Sequence, residues 1–204
     1  MKSASQRALK SSMLVLAVLG VALVSSLLTG GRLEYARNWQ LKGLWMALGA
    51  FAVQTALFTQ WGIGFVGEAL VPVVYVVTLS ALVAFLVVNR RVLGVPVLLA
   101  GLMLNMFVIS ANAGRMPASV AALTGAGRVE EADLLRLRGA AANCVLMNNS
   151  TRLNMLGDNI VIRLGGSVGS AYSVGDLVAL AGEAVVVFGV LRAKPAGHQS
   201  EERV

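Results

Sequence analysis

The chain of 204 residues is 57% hydrophobic and 13% charged, whereas ordinary soluble domains carry about 25% charged residues. This composition excludes a soluble globular protein and predicts one integral membrane domain over residues 1–204. A single cysteine, Cys144, and a single histidine, His198, exclude disulfide and Cys/His metal frameworks, and the scattered basic residues behind the net charge of +7 argue against nucleic-acid binding.

The N-terminal segment combines a basic tail, carrying Lys2, Arg7 and Lys10, with an uncharged run over residues 13–29. A charged region followed by an apolar run is also typical of signal peptides. The apolar run is long for a signal peptide, and no A-x-A cleavage pattern follows it. We therefore predict a retained first membrane helix that ends at Gly30-Gly31, because glycine commonly follows a helix C-terminus.

Three further apolar segments predict membrane helices over residues 43–59, 69–88 and 92–112. A connector over residues 32–42 precedes them and mixes aromatic with basic residues, as is typical of the lipid headgroup level. Trp61 marks the opposite interface between the first two of these segments.

The region over residues 113–172 holds no apolar run that is long enough to cross a bilayer, and we predict a cap of short helices and loops. Pro117 suits the first turn of a short helix that ends at Gly125 and Gly127. Residues 128–141 place acids first and arginines last around an apolar spacing. This pattern predicts a surface helix that lies either on the membrane or on the bundle.

A capping box begins the last span, because Ser173 is followed three residues later by Asp176. We predict the fifth membrane helix over residues 175–191 and a disordered tail over residues 195–204. The predicted fold class is therefore an all-α membrane protein with about five transmembrane helices and a helical or loop cap between helices 4 and 5.

The distribution of basic residues favours an outer N-terminus. In that orientation only the tail cations break the positive-inside rule, and the cap lies on the outer face of the membrane. The residues placed on the cytoplasmic side are Arg32, Arg37, Lys42, Arg90, Arg91, Arg192 and Lys194.

Three motifs occur in order along the chain. They are Gly30-Gly-Arg-Leu33, the polar knot Leu104-Asn105-Met-Phe-Val-Ile-Ser-Ala-Asn112-Ala-Gly114-Arg115-Met-Pro117, and Thr151-Arg-Leu-Asn-Met-Leu-Gly157-Asp158 followed at a distance by Ser173-Val-Gly175-Asp176. In order and spacing they resemble an uncharacterised family of small bacterial integral membrane proteins, known as a domain of unknown function. The resemblance implies the membrane fold and no activity. Ala113 stands where that family has a glycine, which leaves open whether the backbone there is left-handed.

The candidate site residues of the motifs are polar or small. Such residues either line a binding site or, as we favour, hydrogen-bond across helices and fix the cap. They are Asn105, Asn112, Gly114, Arg115, Pro117, Thr151, Gly157, Asp158, Ser173, Gly175 and Asp176.

Two of these residues, Asp158 and Asp176, have the chemistry of an acid/base pair. Asp176 is already explained by capping, however, and Asp158 is expected to cap a turn or to pair with Arg115 or Arg152. We predict no catalytic residue.

A second candidate group lies inside the spans and consists of Gln54 and Glu183. An intramembrane acid is a candidate proton or cation site, with Gln54, Asn105, Thr78 or Tyr75 as its partner. The alternative is a protonated carboxyl that bonds to a neighbouring helix. Beside it Gly175, Ala179, Gly182 and Gly189 offer close helix packing.

We predict a multi-pass protein of the bacterial cytoplasmic membrane that acts as a non-enzymatic scaffold, sensor or accessory component. Its expected partners are the lipid bilayer and another membrane protein or a second copy, and no cofactor, metal or nucleic acid is expected. The second hypothesis is a small transporter or permeability protein that uses Gln54, Asn105 and Glu183. The third is a membrane-embedded enzyme that uses Asp158 and Asp176.

Overall fold

The computed structural model describes residues 13–37, 40–163 and 169–193. Its first part contains the helices α1 (Met13–Leu28), α2 (Leu33–Arg37), α3 (Leu44–Leu57), α4 (Gln60–Val66), α5 (Val71–Val88) and α6 (Val95–Ala111). The cap follows with β1 (Met116–Ala118), α7 (Val120–Gly125), α8 (Val129–Arg138), β2 (Ala140–Ala141), β3 (Cys144–Leu146), a 3-10 turn (Asn154–Leu156), β4 (Ile160–Ile162) and β5 (Ser170–Tyr172). Helix α9 (Val174–Val190) closes the fold.

The five long helices pack side by side in the spatial order α1, α9, α6, α5 and α3. The cap is joined to the ends of α6 and α9, and we refer to this side of the bundle as the cap end. The opposite side, where α5 turns into α6 and the C-terminal ends of α1 and α9 meet, is the loop end. The five predicted spans thus correspond to five helices at the predicted positions.

A row of glycines brings α6 and α9 together. Gly94 and Gly101 are seven residues apart, as are Gly175 and Gly182, and seven residues are close to two helical turns. A Cβ atom at Gly101 would overlap the backbone of Ala179, and one at Gly182 would overlap the backbone of Leu98. The two helices therefore touch backbone to backbone, which larger residues would prevent.

At the loop end, Asn89 joins α5 to the start of α3. Its side-chain amide donates to the carbonyl of Lys42 at 2.8 Å, and its carbonyl accepts from the Lys42 amide at 3.0 Å. The start of α3 is thereby fastened to the end of α5. Near the same end, the buried Ser26 hydroxyl donates to the Phe188 carbonyl at 3.0 Å and joins α1 to α9.

The cap is built on two small sheets. Strand β3 lies between β1, which runs parallel to it, and β2, which runs antiparallel. Strands β4 and β5 form an antiparallel pair, and a single bridge links Ala118 to Asp158. The α7 and α8 helices cover the first sheet, and α8 buries Ala132 and Leu135 against it.

The sheets correct the prediction of an all-α fold with a cap of helices and loops only. The strands have two or three residues each, and strands this short show no alternation of apolar and polar residues in the sequence. The predicted position of Pro117 in a helix is also wrong, because it lies in β1 and α7 begins after the N-cap Ser119. Helix α8 is present as predicted, and it packs on the cap itself.

The connector over residues 32–42 contains the short helix α2, and the segment that carries Trp61 forms the short helix α4. The basic N-terminal tail and the predicted disordered tail over residues 195–204 lie outside the described residues.

Among the described residues, one helix, α5, is long and apolar enough to cross a membrane. Three shorter apolar helices cover Leu14–Leu28, Leu44–Leu57 and Val95–Ala111.

We expect Gly101→Ala to lower the free energy of unfolding by about 1–3 kcal/mol, because the added methyl group must separate α6 from the Ala179 backbone. The measurement is thermal unfolding of the detergent-purified chain, followed with a thiol-reactive dye on Cys144. The matched control is Gly49→Ala in α3, where a Cβ meets nothing within 4 Å. This control should be neutral or slightly stabilising, and equal melting temperatures for both variants would refute the close crossing.

Candidate functional site

The centre of the junction between bundle and cap is the side chain of Asn105, which lies on α6 and is buried. Its amide donates to Asp176 Oδ1 at 2.7 Å, and its carbonyl accepts from the Ser173 hydroxyl at 2.8 Å. The predicted capping box is present. The Asp176 amide donates to Ser173 Oγ at 2.9 Å, and the Ser173 amide donates to Asp176 Oδ2 at 3.0 Å. Asn105 therefore binds the N-cap of α9 from the neighbouring helix.

Gly175 lies directly beside this network. A Cβ atom there would overlap the Asn105 side chain and the Gly101 carbonyl. The glycine is required because it lets α9 begin within hydrogen-bonding distance of Asn105.

Asn112, at the C-terminal end of α6, connects the bundle to the loop after β3. Its side-chain carbonyl accepts from the Arg152 amide at 2.8 Å, and its amide donates to the Arg152 carbonyl at 2.9 Å. Thr151 orders the same loop, since its hydroxyl donates to Asn154 Oδ1 at 2.7 Å. The two residues together hold the turn that leads to Gly157 and Asp158.

Three small or rigid residues of the motifs serve close packing. Gly114 has a φ of +80°, and a Cβ atom there would lie 2.6 Å from the Pro72 side chain. Pro117 is fully buried, and a Cβ atom at Gly157 would meet its carbonyl oxygen. Ala113 has a φ of +54°, so the left-handed backbone occurs here without a glycine.

Arg115 belongs to a cavity of about 490 Å³ between the bundle and the cap, which we call the junction cavity. Its guanidinium donates to the Ala142 carbonyl at 2.8 Å. The residues that line the cavity are Ile63, Glu68, Val71, Arg115, Arg138, Ala140, Ala141 and Ala142.

Asp158 lines a second cavity of about 350 Å³ under α8, which we call the cap cavity. Burial, and secondarily the negative charge of Asp176, raise the pKa of the Asp158 carboxyl from 3.8 to about 7, although Arg128 opposes the shift. Arg128 forms an ion pair with Glu131 at the same cavity. Among the described residues neither Arg115 nor Arg152 forms an ion pair with Asp158. The carboxyl is therefore partly protonated near neutral pH.

Cys144 also lines the cap cavity. Burial, followed by the negative charge of Asp158, raises the pKa of its thiol to about 12. Since the thiolate is the nucleophilic form of cysteine, this thiol is poorly suited to covalent catalysis at neutral pH.

The intramembrane candidates are not brought together. Gln54 donates to the Thr78 hydroxyl at 3.1 Å and thereby joins α3 to α5. Glu183 lies on α9 between the two ends of the bundle, and in the described part of the chain its carboxyl forms no hydrogen bond or ion pair. Asn105, the third member of the predicted polar path, is occupied by Ser173 and Asp176.

The structure thus gathers most predicted motif residues at the cap end, but as contacts between elements and not around one cavity. The sequence did not indicate the hydrogen bonds between Asn89 and Lys42, nor the cavity residues Glu68, Arg128, Glu131 and Arg138. An asparagine next to an Arg-Arg turn was a usable signal for Asn89. Glu68 lies far from Arg138 in sequence, and the pattern of α8 does not indicate that Arg128, Glu131 and Arg138 line cavities. Within residues 13–37, 40–163 and 169–193, no group of three or more His, Cys, Asp or Glu side chains could hold a metal ion.

The chain matches the model of a known family over most of its length. A family model described as "Family of unknown function (DUF5317)" matches residues 38–188, which is more than half of the chain. The prediction of an uncharacterised family is therefore confirmed. No curated protein and no solved structure matches this chain.

The raised pKa of Asp158 predicts a pH-dependent stability. Between about pH 4 and pH 7 the folded protein keeps a proton that the unfolded chain has released, so the free energy of unfolding falls as pH rises and levels off above pH 7. Asp158→Asn removes this charge. We expect it to raise the free energy of unfolding on the order of 2–4 kcal/mol at pH 8 and to change it little at pH 4.

The measurement is the melting temperature of both proteins between pH 4 and pH 8. Asp133→Asn is the control, because Asp133 is exposed and pairs with Arg136 at 3.6 Å on the surface of α8. A wild-type and an Asp158→Asn profile that run parallel over this range would contradict the assignment of the titration to Asp158.

Proposed function

Because this chain belongs to DUF5317, a family whose function is unknown, its role has to follow from its architecture, and we propose a multi-pass scaffold of the bacterial cytoplasmic membrane. In this proposal α1, α3, α5, α6 and α9 cross the bilayer, and the cap is presented on the outer face. The protein acts without catalysis, as a scaffold, sensor or accessory component for a partner protein or a second copy.

The exposed apolar surface of the helices supports membrane insertion. Large apolar side chains face outward on helices from one side of the bundle to the other, where water would oppose them and lipid would not. Examples are Leu16, Val24, Trp45, Phe51, Val77 and Phe107.

The ends of the bundle support the same placement. Trp45 near the loop end is 85% exposed, and Trp61 and Phe65 on α4 at the other end are 90% and 93% exposed. Aromatic residues at both ends are typical of the two interfaces of a membrane. The helices α1, α3, α5, α6 and α9, of 14 to 18 residues, are about 21–27 Å long, so the shorter ones need their flanking residues to reach across the roughly 30 Å of hydrocarbon.

Charge supports an outer cap. Among the described residues, the loop end carries the basic residues Arg32, Arg37, Lys42, Arg90, Arg91 and Arg192 and the single acid Glu34. The cap end and the cap together carry the basic residues Arg115, Arg128, Arg136, Arg138, Arg152 and Arg163, balanced by Glu68, Glu130, Glu131, Asp133, Asp158 and Asp176. Cytoplasmic segments are the ones enriched in Lys and Arg. Only Lys2, Arg7 and Lys10, ahead of α1, count against this orientation.

The use of the motif side chains carries the scaffold proposal. Asn105, Asn112, Ser173 and Asp176 are consumed in hydrogen bonds that hold the cap on the bundle. Arg115 lines the junction cavity and Asp158 the cap cavity. Arg138, Ala141 and Ala142 line both cavities, but neither cavity is lined by Arg115 and Asp158 together. Asp176 accepts with both carboxylate oxygens, which leaves it unsuited to exchange protons with a substrate.

The cap offers a surface for a partner. Helix α8 turns Ala132 and Leu135 inward, while Val129, Leu134 and Leu137 remain exposed on the outside. Leu137 is 83% exposed, and a partner protein that covers it would remove this apolar side chain from water.

The orientation predicts which cysteines react from outside. In a Cys144→Ser background, we expect a single cysteine at Thr124, an exposed position in the cap, to react with a membrane-impermeant maleimide in intact spheroplasts. A cysteine at Arg91, exposed at the loop end, should react only after permeabilisation. The reversed pattern would overturn the orientation, and labelling of both sites from the same side would overturn the five-span arrangement.

The scaffold and the transporter differ in what Glu183 does. We expect liposomes that contain the wild-type chain to hold a proton gradient as long as liposomes that contain Glu183→Gln. A photo-crosslinking residue at Leu137 should give covalent adducts in cells, whereas one at Leu93, exposed at the loop end, should not. A wild-type leak that Glu183→Gln abolishes, together with no adduct at Leu137, would establish the transporter instead.

A further inference from the structure

The junction cavity is bounded by both parts of the molecule. Ile63 of α4 and Val71 of α5 come from the bundle, whereas Arg138 and the alanines 140–142 come from the cap. Its volume of about 490 Å³ lies within the range of small-molecule sites. The cavity is large enough for a polar headgroup with part of its glycerol.

Charged side chains of both signs line this cavity. Glu68, Arg115 and Arg138 all contribute to the wall, yet among the described residues no ion pair within 4.0 Å joins the acid to either arginine. Arg115 is held in place through Ala142 and uses one donor of its guanidinium there. An arginine has five N–H donors, so most of its capacity remains for a ligand.

The cavity lies at the level where lipid headgroups would be. Glu68 and Val71 bracket the start of α5 at the cap end, and Arg115 follows the end of α6. The neighbouring helix α4 exposes Trp61 and Phe65 almost fully, as interfacial aromatic residues do. The apolar Ile63 and Val71 give the cavity a side that suits the glycerol and upper acyl region of a lipid.

We propose that the junction cavity binds the headgroup of a zwitterionic phospholipid with a primary ammonium. Arg115 and Arg138 bind the phosphate, because guanidinium groups match phosphate oxygens in geometry and charge. Glu68 binds the ammonium. The proposal rests on the membrane placement under the proposed function, and it adds a lipid as the ligand that joins the cap to the bundle.

The test is a lipid titration of the full-length, detergent-purified chain by native mass spectrometry, with phosphatidylethanolamine, phosphatidylcholine and phosphatidylglycerol as probes. We expect phosphatidylethanolamine to bind most tightly, because the trimethylated ammonium of phosphatidylcholine cannot donate hydrogen bonds to Glu68. Arg138→Gln should weaken phosphatidylethanolamine binding about tenfold. Glu68→Gln should weaken it similarly and leave phosphatidylglycerol binding unchanged.

The matched control is Arg136→Gln, two residues before Arg138 on α8. Arg136 is exposed, pairs with Asp133 and does not line the cavity, so this variant should bind lipid as the wild type does. Equal binding by Arg138→Gln and Arg136→Gln would overturn the site. If the wild type binds phosphatidylglycerol more tightly than phosphatidylethanolamine, the proposed preference for a zwitterionic headgroup is overturned.

Two further measurements separate the possible failures. If soluble phosphoethanolamine binds as tightly as the lipid, the ligand of the cavity is a free phosphate compound, and the proposal of a lipid ligand is overturned. Membrane fractionation and melting temperatures of each variant show whether the chain is still inserted and folded. Variants that stay in the membrane but do not alter lipid binding refute only this inference, whereas a wild-type chain absent from the membrane fraction refutes the proposed function as well.

Discussion

The crossing of α6 and α9 is the contact on which the rest of the structure depends. Gly101 and Gly182 allow the two backbones to touch, and Gly175 brings the first turn of α9 against Asn105. Close approach alone would leave the Asn105 amide in apolar surroundings, at a cost of several kcal/mol for an unpaired polar group. The capping box of α9 supplies its partners, so that steric fit and hydrogen bonding require the same register. Because the cap begins at the end of α6 and finishes at the start of α9, this register also fixes the distance that the cap has to bridge.

Asparagine side chains perform the same task at three places. Asn89 and Asn112 each bind both the N–H and the carbonyl of one backbone residue, Lys42 and Arg152, much as a neighbouring β-strand would. Asn105 binds two side chains in the same two-sided manner. An amide carries a donor and an acceptor without net charge, which suits it to such two-sided contacts. The asparagines of the polar knot therefore serve to hold the helices and the cap together. Arg115 is the residue of the knot that lines the junction cavity of about 490 Å³.

The long helices could be predicted because each is encoded locally, by an apolar run with a glycine or capping signal at its end. The capping box from Ser173 to Asp176 is the clearest case, since both partners lie within four residues. The sheets could not be predicted in this way. Strand β1 pairs with β3, which lies more than 20 residues later, and neither strand is long enough to show a period. The cavities depend on the same distant contacts. Glu68 and Arg138 line one cavity only in the folded protein, and the environment of Asp158 is set by burial and then by the charges of Asp176 and Arg128. The sequence pattern also placed Gln54, Asn105 and Glu183 in one group because all three are polar in apolar helices, although their neighbours in space differ.

The bond between Asn105 and Asp176 spans 71 residues of chain, and this separation has a consequence for biosynthesis. At roughly 5–20 residues per second, a ribosome needs several seconds to produce α9 after α6 has been completed. For helices that enter the bilayer in chain order, α6 is then present with an unsatisfied amide while the entire cap is still being made. Until α9 follows, the Asn105 side chain lacks the two partners that it has in the finished structure. The polar group that fixes the register of the bundle is thus satisfied only when the last helix has been made.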